Sequence, residues 1–145
     1  MAGFSDAYEN MLVDAIFRGQ AFSAPAAIYC ALLTAAPSDT GGGTEATGGS
    51  YARVSVGKTL LTWAGTQAVG STTASTGTGG QTSNNGAITF PSPTGNWGVI
   101  THWGLYDASS SGTLICWGPL TVPKTVNNGD AAPSFAAAAL TITLD

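Results

Sequence analysis

Few side chains in this sequence could perform acid–base or nucleophilic chemistry, and they lie far apart along the chain. There is one histidine, His102, and there are two cysteines, Cys30 and Cys116. Neither cysteine has a histidine near it to form a thiolate pair, and no C-x-x-C, G-x-S-x-G, P-loop or H-E-x-x-H motif occurs. His102 stands in a strand-like run, where we interpret it as a packed or edge residue. The sequence predicts a protein that is not an enzyme.

The acidic residues do not suggest a metal site or a carboxylate pair. Most of them fall in a predicted helix or in predicted turns: Asp6, Glu9, Asp14, Asp39, Glu45, Asp107, Asp130 and Asp145. A zinc site needs three or four N, S or acidic ligands, and a calcium loop needs several acids close together. The best candidate turn, residues 127–130, carries one acid. We therefore predict no metal and no cofactor.

The tryptophans are the remaining candidates for a binding site: Trp63, Trp97, Trp103 and Trp117. If their rings were exposed they could stack on sugars, as in a carbohydrate-binding module. Aromatic side chains also supply much of the buried area of a small domain, and we favour that interpretation. Trp97 follows the turn-like residues 93–96, and it is the one of the four that we expect to be partly exposed.

Charge is unusually scarce in this chain of 145 residues. Only 8% of residues are Asp, Glu, Lys or Arg, where about 25% is typical. Uncharged hydroxyl and amide groups cost less to bury than ions, so such a surface favours a protein whose outside becomes an interface. An ordinary extracellular β domain with a polar coat is the alternative.

The charges that are present argue against several classes of partner. The net charge is −4, whereas nucleic-acid binding requires a basic surface. No apolar run approaches the roughly 20 residues of a membrane span. The first ten residues lack the basic region of a signal peptide. We therefore expect no nucleic acid or membrane partner, and a protein assembled in the cytoplasm of its host.

The N-terminal segment has the spacing of one short helix. Tyr8, Met11, Leu12, Ala15 and Ile16 recur at helical spacing, with Asp6 as the predicted N-cap and Glu9 as its capping-box partner. Gly19 is the predicted stop. A helix of about three turns must pack against something to persist, either its own sheet or a neighbouring subunit.

The remainder reads as about seven or eight short strands separated by turns. Predicted strands cover residues 27–34, 51–56, 60–63, 87–90, 99–106, 113–118, 121–126 and 140–144. Together they predict a mainly β, antiparallel, single-domain sandwich or jelly-roll-like fold over residues 1–145. Residues 1–24 form a helical N-terminal arm. Residues 65–86 are a Gly/Ser/Thr-rich loop, either floppy or ordered by a partner.

The cysteines are expected to behave as buried hydrophobic residues. A disulfide between Cys30 and Cys116 is feasible only if their two strands are neighbours.

Several segments taken together resemble a family of small structural proteins from the virions of tailed phages. The run TAAPSD at residues 34–39 is followed by the Gly-rich loop at 41–45 and by GGSYAR at 48–53. The later segments ITFPSPTGNWGVITHWGLYDA, KTVNNGD and ALTITL are also similar, as is the short strand that carries Leu114 and Trp117. The resemblance covers most of residues 25–145, and its motifs are structural rather than catalytic.

The resemblance implies a head- or tail-associated virion protein, of a kind often labelled a tail fibre protein. Our leading hypothesis is a capsid decoration, or cement, protein that binds the major capsid protein and stabilises its lattice. The alternative is a tail- or fibre-associated component that binds other tail proteins, and a carbohydrate-binding module is a second alternative. A homo-oligomer is expected, and a trimer would suit a capsid three-fold site. The predicted assembly contacts are Tyr8, Met11, Leu12, Glu45, Arg53 and Trp97.

Overall fold

The structure, a computed structural model, describes residues 3–144. In chain order its elements are β1 (Gly3–Phe4), α1 (Asp6–Phe17), β2 (Ile28–Ala35), β3 (Thr44–Glu45), β4 (Val54–Val56), β5 (Gln81–Ser83), β6 (Ile88–Thr89), β7 (Gly98–Tyr106), β8 (Leu114–Val126), β9 (Ser134–Phe135) and β10 (Thr141–Thr143).

One antiparallel sheet dominates the structure. Its strand order is β1-β8-β7-β2-β3, and β4 also pairs with β2. Two smaller ribbons pair β5 with β10 and β6 with β9. The predicted class, mainly β and antiparallel with one short helix, is confirmed. One sheet with two ribbons is also compatible with the sandwich or jelly-roll arrangement.

β2 is buried on both faces, as its nearly continuous apolar run predicted. Because side chains alternate across a strand, Cys30 and Leu32 join the main core cluster, while Ala31 and Leu33 join a second cluster on the opposite face. β7 pairs along β2 from Tyr29 to Leu33. The centre of the molecule is therefore a sheet with apolar contacts on both faces.

β8 is longer than the sequence predicted, because residues 113–118 and 121–126 belong to one strand. Its register against β7 shifts between the pairs Ile100–Lys124 and His102–Pro119. On the other side, β1 pairs only with Cys116 and Trp117. Beyond Trp117 the strand is therefore an edge strand, where proline removes no ladder hydrogen bond.

The predicted helix is present, but it begins at Asp6 and its N-cap is Ser5, one residue before the predicted N-cap Asp6. Ser5 has extended backbone angles and makes no side-chain capping bond. Its hydroxyl donates instead to the carbonyl of Leu114, and the amide of Asp6 donates to the carbonyl of Asp39. Contacts with other segments thus replace the predicted capping box.

The predicted strand at residues 60–63 is wrong. Leu60 and Leu61 are exposed on a turn, where the Thr62 hydroxyl donates to the carbonyl of Gly57 and accepts from the amide of Thr59. These local hydrogen bonds compete with strand pairing. The strand predicted from Tyr51 begins only at Val54.

The low-complexity loop supplies hydrogen bonds of its own. The Gln67 amide nitrogen donates to the hydroxyls of Ser71 and Thr73, and its oxygen accepts from the amide of Thr76. Residues 81–83 of the predicted loop form β5, which pairs with β10. The segment 65–80 is therefore the irregular part of the predicted loop 65–86.

The two cysteines are free and buried. Cys30 and Cys116 both pair with Leu105, from opposite sides of β7. They are thus two strand spacings apart, about 10 Å, beyond the roughly 7 Å limit between the Cα atoms of a disulfide. Burial raises the pKa of the Cys116 thiol to about 12. It also raises the pKa of Cys30, with a further contribution from Cys116.

Both thiols are expected to be unreactive in the folded protein. At pH 8 an aromatic disulfide reagent should modify neither Cys30 nor Cys116 in the folded protein, because only a thiolate attacks the disulfide of the reagent. Both cysteines should react once guanidinium unfolds the chain. The unfolded thiols ionise at a pKa of about 8.5, while the folded ones keep their protons. The free energy of unfolding should therefore fall as the pH rises above about 9. Rapid labelling of the native protein would contradict this prediction.

Gly118 is predicted to be essential for packing against Trp103. A Cβ atom at Gly118 would lie 2.9 Å from the buried indole ring of Trp103, so Gly118→Ala should lower the free energy of unfolding by about 1–3 kcal/mol. Gly86 has open space around it, and Gly86→Ala should change stability by less than about 0.5 kcal/mol. Denaturant titrations measure both, and equal effects would contradict the prediction.

Candidate functional site

Glu45 and Arg53 form the most extensive polar contact of the described residues. The Arg53 Nε and Nη2 atoms donate to the two carboxylate oxygens of Glu45 at 2.9 and 2.8 Å. The Arg53 side chain is 5% exposed and that of Glu45 is 28% exposed. This two-point geometry is specific to arginine, because a lysine offers no planar fork.

The same guanidinium connects Glu45 to a third segment of the chain. Arg53 Nη1 donates to the carbonyls of Ala108 and Ser111, both at 2.8 Å, in the turn between β7 and β8. The guanidinium carbon also lies 3.7 Å from the ring centroid of Tyr106, a cation–π contact. Burial alone would lower the pKa of Arg53, but the hydrogen bonds and charge of Glu45 outweigh it, so the pKa is raised.

Tyr51 links this ion pair to the central sheet. Its hydroxyl donates to Glu45 Oε1 at 2.8 Å and accepts from the amide of Leu32 at 3.1 Å. Burial raises the pKa of Tyr51 far above its ordinary value; the Leu32 amide opposes this effect and Glu45 adds to it. We call Glu45, Tyr51, Arg53 and Tyr106 the Glu45 cluster.

The two glycines before Tyr51 allow the chain to approach Trp97. A Cβ atom at Gly48 would lie 2.6 Å from the carbonyl oxygen of Asn96, so only glycine fits there. The Trp97 Nε1 atom donates to the carbonyl of Gly49 at 2.9 Å. The Tyr51 and Trp97 rings meet edge to face at 5.2 Å. The GGSYAR motif is thus a packing motif.

Three of the predicted assembly residues, in addition to the buried Tyr8, therefore already have contacts within the chain. Glu45 and Arg53 bind each other, and Trp97 is 2% exposed, so the expectation that Trp97 is partly exposed is wrong. Its burial follows from the close approach of the residues 48–49, which the sequence spacing could not reveal. An assembly role for these three residues stays a prediction.

The single histidine, His102, contacts a hydroxyl group and an aromatic ring. His102 Nδ1 lies 2.8 Å from the Thr101 hydroxyl, and its ring packs against Trp117. Within residues 3–144, no three His, Cys, Asp or Glu side chains are close enough to hold a metal ion together; Asp145 lies outside the described residues. Across the same residues, no helix is long and apolar enough to cross a membrane.

The tryptophans belong to the core, as we favoured from the sequence. Trp97 and Trp103 are buried in the main cluster, and Trp63 packs against it while half-buried. Trp117, also half-buried, packs against the second cluster. Two of the four tryptophans are therefore unavailable for sugar stacking, and the other two are only partly exposed.

The surface of α1 is the clearest candidate site. Tyr8 is buried in the main core cluster, and Leu12 is half-buried. Ile16 and Phe17, at the end of the helix, are 69% and 79% exposed. The predicted apolar face is thus fully covered at Tyr8, partly covered at Leu12 and Ala15, and exposed at Ile16.

Apolar residues outside the predicted face extend this surface. We call it the exposed helix surface, and it consists of Met11, Val13, Ile16, Phe17 and the following Phe22. The sequence analysis identified Met11 and Ile16 but missed the others. The signal that was missed is the presence of apolar residues all round the second half of the helix. A helix of this kind is normally buried, so the pattern predicts that another surface covers it.

The Glu45–Arg53 pair should contribute much more to stability than an exposed ion pair. Arg53→Ala leaves a partly buried carboxylate and two carbonyls without their donor, and we expect a loss of about 3 kcal/mol in the free energy of unfolding. The control is Arg18→Ala, which removes the exposed Arg18–Asp14 pair and should cost about 0.5 kcal/mol. Urea titration of both variants tests this, and similar losses would contradict it.

Comparison with known proteins identifies the family of the chain. Residues 3–143 match the model of one protein family, described as "Podophage GP4 fiber I protein gp80". Among curated proteins, none matches the chain. The match covers nearly the whole chain and confirms the resemblance seen in the sequence motifs. The chain therefore belongs to the podophage GP4 fiber I protein gp80 family, a family of tailed-phage virion structural proteins.

Proposed function

We propose that the chain is a non-enzymatic structural component of the fibre apparatus of a podophage virion, held in the particle through the exposed helix surface. The family description names a fibre protein. The single structural observation behind the contact is the apolar end of α1, where Ile16 and Phe17 are mostly exposed. An apolar patch of this kind on a chain with little charge marks an interaction site.

The burial of these side chains would stabilise the assembled state. Covering one large apolar side chain is worth about 1.5–3 kcal/mol. The few charges of the chain also make the surface around α1 inexpensive to desolvate. The expected partners are other virion proteins of the same phage, which would place the chain in the virion.

Capsid decoration, our leading hypothesis from the sequence, becomes the second candidate. Scarce charge and abundant small residues suit a high-copy protein on the capsid as well as they suit a fibre. The family description favours the fibre. A carbohydrate-binding module is disfavoured, because the sugar-stacking hypothesis required exposed tryptophan rings.

Copy number in purified particles separates the two structural candidates. Quantitative mass spectrometry, referenced to the major capsid protein, should find about a dozen copies or fewer per particle, a number compatible with the cyclic symmetry of a tail. A ratio close to one copy per capsid subunit would overturn the fibre assignment and support decoration. Imaging of labelled particles should place the chain at the tail.

The exposed helix surface should be required for incorporation into the particle. Ile16→Ser/Phe17→Ser should lower incorporation by about tenfold or more, the factor expected when over 1.4 kcal/mol of contact energy is lost. Leu60→Ser/Leu61→Ser is the matched control, because it alters two exposed apolar residues outside the helix. Thermal unfolding of both variants checks the fold. Normal incorporation of the helix variant would contradict the proposal.

A further inference from the structure

A deep apolar pocket lies between the second half of β8 and the segment 130–135. Its volume is about 600 Å³. Its lining includes the large apolar residues Leu32, Phe90, Ile100, Leu120, Val126 and Phe135, and the Phe90 and Phe135 rings meet edge to face. We call it the β8 pocket.

The pocket is large enough for more than one apolar side chain. An apolar cavity of about 150 Å³ holds a benzene ring, so the β8 pocket can accept a phenyl ring together with an aliphatic side chain. Phe135 is only half-buried in the chain by itself. A ligand that filled the pocket would cover it.

Two charged residues, Lys124 and Asp130, also line the pocket. Within residues 3–144, Lys124 makes no hydrogen bond or ion pair, whereas Arg18, Arg53 and Lys58 each donate to a carboxylate or carbonyl. Asp130 accepts from the amide of Asn127 at 2.7 Å and retains acceptor capacity. The occupant should therefore present one anion and one cation beside an apolar group.

The last turn of α1 has this combination of side chains. Phe17 lies on the same side of the helix as Asp14 and Arg18, which form an exposed pair at 2.7 Å, whereas Ile16 lies on the opposite side. None of these four residues lines the β8 pocket of its own chain. Asp14 complements Lys124 and Arg18 complements Asp130, so the helix end matches the pocket in both polarity and charge.

We propose that the β8 pocket receives the end of α1 from a second copy of this chain, with Phe17 inside and Asp14 and Arg18 facing Lys124 and Asp130. This inference rests on the proposed role of the exposed helix surface as an assembly contact, and it names the partner. The contact joins two different surfaces, so it is heterologous, and repeated copies would close into a ring if the rotation allows.

Cross-linking between two different cysteine variants tests the contact. Val13→Cys lies one turn before Phe17 on the same side of the helix, and Ser134→Cys lies at the pocket. An equal mixture, with one variant carrying a mass label, is treated with a short bismaleimide. Dimers that contain one copy of each variant are expected. The buried native cysteines should leave the wild-type chain unlinked.

Each variant alone and a mispaired mixture are the controls. Ser134→Cys mixed with Leu61→Cys, an exposed site outside the helix, should give no dimer. Dimers from Val13→Cys alone would mean that two helices pack on each other, and would overturn the proposal. Absence of mixed dimers at high protein concentration would overturn it as well.

Charge reversal gives an independent readout. Asp14→Lys and Lys124→Asp should each weaken self-association by about tenfold or more in sedimentation experiments, because each places like charges together. The double variant should recover most of the wild-type association, and failure to recover would overturn the pairing. If the mixed dimers are absent while Ile16→Ser/Phe17→Ser still blocks incorporation, α1 is an assembly contact with another virion protein.

Discussion

The two-point contact between Arg53 and Glu45 joins two neighbouring segments, and the same guanidinium binds them to a third segment that is remote in sequence. Glu45 ends β3, Arg53 precedes β4, and the carbonyls of Ala108 and Ser111 belong to the turn after β7. Tyr51 adds a hydrogen bond to the amide of Leu32 in the central strand. A buried charge is costly unless it is paired and fully hydrogen-bonded, and here both conditions are nearly met.

This arrangement explains why a chain with so few charges places one of its four cations in the interior. The strands around Arg53 are short, and β3 and β4 have two and three residues. Such strands contribute few ladder hydrogen bonds. The guanidinium, with its donors in a fixed fork, fixes the position of the segment 44–56 against the sheet where pairing alone is weak.

The outer surface, in contrast to the interior, relies little on charged groups. Hydroxyl and amide groups replace ions on this surface. In the loop 65–80, the Gln67 side chain forms hydrogen bonds to other residues of the same loop. Five of the eleven large apolar residues described as exposed lie in α1 and the segment after it. The interior contains the Glu45–Arg53 ion pair, and the polar exterior includes an apolar helix end. These features suit a subunit of a larger particle, the role that the family indicates.

Local patterns in the sequence predicted the elements whose stability is local. Alternation along β7, the apolar run of β2 and the helical spacing from Tyr8 to Ile16 all correspond to observed elements. Predictions failed where side chains formed hydrogen bonds that compete with pairing, as Thr62 does with Gly57. Asn84 connects two distant segments, because its side-chain nitrogen donates to the carbonyl of Ala136 and its side-chain oxygen accepts from the amide of Leu140. The spacing of residues around Asn84 did not predict these contacts.

The sequence by itself therefore determined the class of the fold, the positions of its main strands and helix, the scarcity of charge and the resemblance to a virion family. Only the tertiary structure decided which apolar residues are covered: Trp97 is buried and Phe17 is exposed, although both are large aromatic residues. It also decided that Glu45 and Arg53 face each other and that Cys30 and Cys116 do not. Periodicity reports the face of an element, whereas burial and pairing depend on which distant segments pack against that face.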